Sequence, residues 1–184
     1  MALFESRTIK VKNGELVVLR PASVCEAQTL LDCFAEFAAT SPYILTTAES
    51  ARLKTLDSQE KWIQASNEDP RNLLIVAEHN NKIVGITNMM AFKDFKRFHR
   101  AGLGMTVRQE YRGQGLGDAL LALLIECSRQ MPGLLILELN VMAPNKAAHK
   151  LYQKFGFIEC GRYEKAYRLE SGEFVDDIMM HLPL

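Results

Sequence analysis

The chain has 184 residues, 48% of them apolar, and its 22 Lys and Arg are balanced by 22 Asp and Glu. That length and apolar content suit one domain, 1–184, with a substantial core. The balanced charge argues against a broad nucleic-acid surface or an acidic-membrane surface.

The start, MALFESRTIKVKNGELVV, lacks the continuous apolar segment of a signal peptide. Asn13-Gly14 sits inside an alternating apolar and polar stretch and predicts a hairpin. From 23 to 39, Val24, Ala27, Leu30, Leu31, Phe34 and Phe37 or Ala38 recur at helical spacing. Pro42 breaks that pattern, and Asp57 to Glu60 reads as a capping box opening a second helix through Trp62 and Ile63. NLLIVAEHNNKIVGITNMM predicts two strands joined at Asn80-Asn81, and HRAGLGMTV predicts another. A helix follows to about Gln130, with Leu116, Leu120, Leu123, Leu124 and Cys127 on one face, and it ends at Met131-Pro132-Gly133. LLILELNV reads as a buried strand, Asn145 caps a further helix, and ESGE at 170–173 separates two final strands. The order strand–helix–strand–helix–strand predicts an α/β protein with a mixed, partly parallel sheet covered by helices. ALLALLI, 119–125, is the longest apolar run and falls far below the roughly 20 residues that span a bilayer. Cys25, Cys33, Cys127 and Cys160 form no CxxC pair and no zinc spacing. Reduced thiols, no metal, no membrane contact and a cytoplasmic location are therefore expected.

The most informative stretch is QEYRGQGLGDALL, 109–121, where Gly113, Gly115 and Gly117 precede the helix. Glycine inside a helix costs about 1 kcal/mol against alanine, so its repeated use needs a reason. Free N–H groups at a helix start carry partial positive charge, and glycines let a ligand approach them, which together suit a phosphate. Arg112 adds a permanent charge. A strand-to-helix turn with Gly115 and Gly117 packed on the sheet is the plainer alternative. No Gly-Lys-Ser/Thr follows, so a P-loop is excluded. A dinucleotide fingerprint fits badly, with Asp118 or Leu120 where its last small residue belongs, although Glu138 lies where a ribose-binding acid would.

Arg112-Gly113-Gln114-Gly115-Leu116-Gly117 resembles the R/Q-x-x-G-x-G/A acetyl-coenzyme A loop of the GNAT acetyltransferases. NKAAHKLYQKFGF, 145–157, is similar to that family's N-x-x-A-x-x-L-Y-x-x-x-G-F segment, and the two occur in the family's order and spacing. The resemblance implies a GNAT-like fold whose central sheet splays between strands 101–107 and 134–141. It implies acetyl-CoA as co-substrate, with the pyrophosphate on the N–H groups of 112 to 117 and the pantetheine along the backbone near Met105 and Val107. Asn145 is expected both to cap its helix and to touch the pantetheine.

Acetyl transfer to an amine needs a neutral amine, a polarised thioester carbonyl and a proton for the departing thiolate. The family often uses a Tyr at the position of Tyr152 for that proton, and Tyr152 lies two turns after Asn145 on the same face. Core packing with Ala148, Leu151 and Phe155 is the alternative. Some members that acetylate protein N-termini carry a glutamate base where this chain has Asn140. Another acidic residue, common in relatives, is here Gly102. Glu138, on the same strand face as Asn140, is the remaining candidate base, with a water relay as the other option. Tyr43 is the candidate for the acceptor site. Asp176 and Asp177, in a closing hairpin similar to that of bacterial members acting on amino acids, diamines or protein N-termini, could attract a cationic acceptor or simply lie at the surface. His99, His149, Lys150 and Lys154 read as surface residues and Trp62 as core. The expected reaction is N-acetylation of a small-molecule amine in preference to a peptide N-terminus. A coenzyme A-binding sensor and a nucleotide oxidoreductase are the rivals, and a homodimer is left open.

Overall fold

Asn13-Gly14 reverses the chain with Gly14 at φ +93°, and Arg7–Lys10 (β1) pairs antiparallel with Leu16–Pro21 (β2). Asn80 and Asn81, at φ +48° and +60°, form the second expected reversal, between Leu73–His79 (β3) and Lys82–Ala91 (β4). Two consecutive left-handed residues give the turn whose twist matches the strands it joins. The structure, a computed structural model, describes residues 4–47, 49–50 and 53–184.

The remaining strands are β5 (Arg100–Val107), β6 (Ile136–Met142), β7 (Ile158–Arg168) and β8 (Phe174–Pro183). The helices are α1 (Ala27–Thr40), α2 (Leu56–Glu68), α3 (Leu116–Arg129) and α4 (Lys146–Lys154). The described strands form one eight-stranded sheet in the order β1-β2-β3-β4-β5-β6-β8-β7. Its neighbours are antiparallel except β5 and β6. None of the described helices is long and apolar enough to cross a membrane.

The run LLIVA in β3 has no polar alternation because both of its faces are covered. Leu73, Ile75 and Ala77 pack in one core with α3, while Leu74 and Val76 pack in a second with Leu30, Phe37 and Ile63 of α1 and α2. The same alternation sorts the later strands. Leu137, Leu139, Val141, Ile178 and Met180 enter the α3 core, so Glu138, Asn140, Asp177 and Met179 belong to the α1–α2 face.

Two boundaries differ from expectation. Thr55, not Asp57, caps α2, accepting a bond from Ser58 N–H at 3.2 Å, while Asp57 lies in the first turn and pairs with Lys61 at 2.7 Å. A Thr in extended backbone can accept at that position, whereas Asp57 is already helical. Val24 lies in a separate 3-10 turn (Val24–Glu26) and is exposed, because the buried face of α1 begins at Ala27.

The feature that positions the site is the contact between β5 and β6. Their parallel register covers only Arg100–Gly102 against Ile136–Glu138. Beyond it, β5 stays on β4 and β6 turns to β8, through Met105↔Thr87 and Met142↔Asp177. The sheet therefore opens into a V from Leu103 and Leu139 onward.

Candidate active site

Gly115 caps α3 at φ +86°, in the left-handed region where a side chain is costly. A Cβ built there meets nothing within 4 Å, so open space and not protein packing lies over the loop. Gly117 differs, since its Cβ would come within 3.2 Å of Leu151, and this close approach brings α3 and α4 together. The first helical bond runs from Ala119 N–H to Gly115 O. The N–H groups of Arg112 and Gln114 are engaged in turn bonds to Gln109 and Tyr111. The donors left that belong to cavity-lining residues are those of Gly113, Gly115, Gly117 and Asp118, while Leu116 is wholly buried.

These glycines, with Met105, Val107, Arg112, Asp118, Asn145 and Leu151, line a cavity of about 500 Å³. Arg112 Nε donates to Val107 O at 3.0 Å and its Nη1 to Thr40 O at 3.4 Å, which fixes its charge at the rim. Asp118 would repel an anion, but Lys154 pairs with it. Lys12 also lines this cavity, and its backbone N–H donates to Gln114 O at 3.0 Å. The β1–β2 hairpin thus braces the glycine loop and brings a cation that sequence reading does not single out. No motif marks a residue so far away along the chain.

A second cavity, about 410 Å³, opens through the V towards the α1–α2 face. Phe34, Ile44, Leu103, Asn88, Asn140, Tyr167 and Asp177 are among its walls. Tyr43, Met105, Asn145 and Tyr152 border both cavities. Asn145 Oδ1 caps α4, accepting from Ala148 N–H at 3.2 Å. Tyr152 follows it two turns later, 6% exposed and packed on Phe157 at 5.7 Å between ring centroids. Burial pushes its phenol up to about 12, so it stays protonated at neutral pH.

Glu138 lies at the closed end of the V, where Arg100 binds its carboxylate, and it lines neither cavity. Asp176 and Asp177 part company. Asp176 is bound by Lys165 N–H at 2.9 Å and by Arg162 Nε at 2.8 Å, and these bonds, the backbone one first, hold it below the usual carboxylate range. Asp177 is buried beside Asn140, facing the second cavity. His149 pairs with Glu159, and Trp62 packs edge-to-face on Phe34. Among the described residues no cluster of His, Cys, Asp and Glu could hold a metal ion.

Two cavities meeting at one buried tyrosine can bring a phosphate-bearing donor and a second substrate together through the sheet. Comparison with known proteins identifies the donor. Residues 32–157 match the model of the acetyltransferase (GNAT) family. The chain is 29% identical over 123 residues to the L-amino acid N-acetyltransferase AaaT of Escherichia coli K12, covering 67% of this chain and 75% of that one. It is 32% identical over 120 residues to the ribosomal protein bS18-alanine N-acetyltransferase of the same strain, covering 65% and 77%. The crystal structure of a GNAT acetyltransferase from Streptococcus pneumoniae superposes with a TM-score of 0.87 at 27% identity, over 91% of this chain and 99% of that one. A Salmonella typhimurium structure, described as yncA with its cofactor acetyl-CoA, shares the fold at a TM-score of 0.78 and 20% identity, over 91% and 94%. With the glycine loop, the V in the sheet and the family match in agreement, the chain belongs to the GNAT acetyltransferase family and is an acetyl-CoA-dependent N-acetyltransferase.

Proposed function

We propose that this enzyme moves the acetyl group to a primary amine by direct attack, with Tyr152 as the acid, and that the amine is a small molecule in preference to a protein N-terminus. The observation that carries this reading is the position of Tyr152 on the wall shared by both cavities. The donor's phosphates fit the free N–H groups of Gly113, Gly115, Gly117 and Asp118, with Arg112 and Lys12 supplying charge at the rim. The pantetheine fits along the open edge of β5 at Met105 and Val107, and against Asn145. Gln114, expected at the ligand from the loop motif, lines neither cavity, because its N–H bonds to Tyr111 O and its carbonyl accepts from Lys12 N–H.

The acceptor enters from the other face, past Tyr43. Its ammonium loses one proton to water, and the neutral nitrogen attacks the thioester carbonyl carbon. The C–S bond then breaks, and the sulfur takes the proton of Tyr152. The nitrogen's second surplus proton restores the phenol, leaving an amide, a free thiol and one proton released. Glu138 can receive the first proton only along a chain of waters, since it lies outside both cavities. A cavity of about 410 Å³ is in the range of small-molecule sites, which supports the acceptor class. Relatives named for amino acids and for a ribosomal-protein alanine share the primary-amine chemistry.

Acetyl-CoA should raise the melting temperature by mass action on the folded state. A panel of amines, read by release of coenzyme A thiol, then finds the acceptor. If acetyl-CoA leaves the melting temperature unchanged and no amine releases thiol, the proposal fails.

A further inference from the structure

Among the described residues, Asp177 is the one charged side chain lining the acceptor cavity; the other titratable groups on its wall are the phenols of Tyr43, Tyr152 and Tyr167. The carboxylate is 5% exposed. Its Oδ2 accepts a hydrogen bond from Asn140 Nδ2, across the β6–β8 pairing. Its Oδ1 is buried with no hydrogen-bond partner of normal geometry among the described residues; the Tyr167 phenol, pushed up by burial and by the Asp177 carboxylate, is the neighbouring group able to donate to it. A buried carboxylate oxygen left unpaired is costly unless a donor arrives from elsewhere. The neighbouring Asp176 makes the contrast, because both of its oxygens are occupied by Arg162 and Lys165.

We propose that Asp177 is the recognition residue for the acceptor's ammonium group, with Asn140 as the residue that orients it. This rests on the N-acetyltransferase reading above. A primary amine in neutral water is mainly an ammonium ion, with three donors and a positive charge. Oδ1 offers the complementary acceptor in a partly dry setting, where a charge-assisted bond is stronger than in water. Phe34, Ile44 and Leu103 give the walls for an apolar body behind that nitrogen. The ligand class is a monocationic primary amine with an apolar substituent.

Calorimetric titration tests this, using phenethylamine and its neutral counterpart 2-phenylethanol on protein saturated with coenzyme A. Asp177→Asn should weaken phenethylamine binding roughly ten- to a hundredfold, the range of one hydrogen bond to a charged group. Binding of 2-phenylethanol and of coenzyme A should not change. Asp176→Asn should leave amine binding alone. In the wild type, phenethylamine affinity should fall as pH passes the amine's own pKa, and in Asp177→Asn that dependence should flatten. Equal amine binding in Asp177→Asn, or no preference for the amine over the alcohol in the wild type, overturns the assignment. So does loss of cooperative melting in both Asp177→Asn and Asp177→Ala, which makes Asp177 a structural residue. Coenzyme A binding to the wild type is read separately, and its failure removes the acetyltransferase reading instead.

Discussion

The two cavities, proposed above for donor and acceptor, meet at Tyr152 yet are built in opposite ways. The donor cavity comes mainly from two short stretches, 105–118 and 145–152, and its key groups are backbone N–H donors at the start of α3. The acceptor cavity draws on α1, the loop after it, and five strands from β4 to β8. The phosphates of a co-substrate do not change with the acceptor, so a fixed turn and a helix end can serve them. An acceptor that varies must be met by side chains, and these can come from anywhere the fold brings close.

This division can be tested from its junction outward. Tyr152→Phe should lower turnover about 10²- to 10⁴-fold, the usual worth of an acid, while coenzyme A and amine affinities stay nearly intact. More than half the wild-type rate in steady-state assays would remove the acid role. The same variant should resist alkali better. Burial raises the folded-state phenol from 10 to about 12, so its stabilising effect is complete below pH 10 and is lost as pH rises through 12. Gly115→Val should weaken coenzyme A binding more than about tenfold and cost about 1–2 kcal/mol through the left-handed backbone, with amine binding unchanged. If amine binding falls as much as donor binding, the two halves are not separate. Lys12→Ala should weaken coenzyme A roughly two- to fivefold, and less at high salt, as an exposed charge pair does. Glu138→Gln should be the mildest, with turnover within about twofold and stability within about 1 kcal/mol, because it removes one half-exposed ion pair with Arg100. A large drop in its pH–rate profile would instead make Glu138 the base.

What could be read from the sequence follows the same line. Asn13-Gly14, Asn80-Asn81 and the alternating glycines are local signals, and each sets the backbone it predicts. The apolar periodicity of α3 likewise names its buried face, from Leu116 to Cys127. The cap of α2 falls on Thr55 and not Asp57; both residue types cap well, and only the extended backbone at Thr55 decides between them. Lys12 and the pairing of Asn140 with Asp177 are not local at all. The contrast between Asp176 and Asp177 depends on which sheet face each meets, a fact that emerges only once β8 is registered on β6.

The V in the sheet has one more consequence. Where β5 and β6 part, each presents a bare strand margin to the cleft, and such margins are what open-edged proteins normally blunt with charge, proline or a bulge. With the pantetheine placed as proposed above, its two amides would stand in for the missing strand. On that placement, a preparation stripped of coenzyme A should expose these margins to strands of other molecules and a loaded one should shield them. Storage, crystallisation and shelf life of this enzyme should therefore follow cofactor occupancy, quite apart from catalysis.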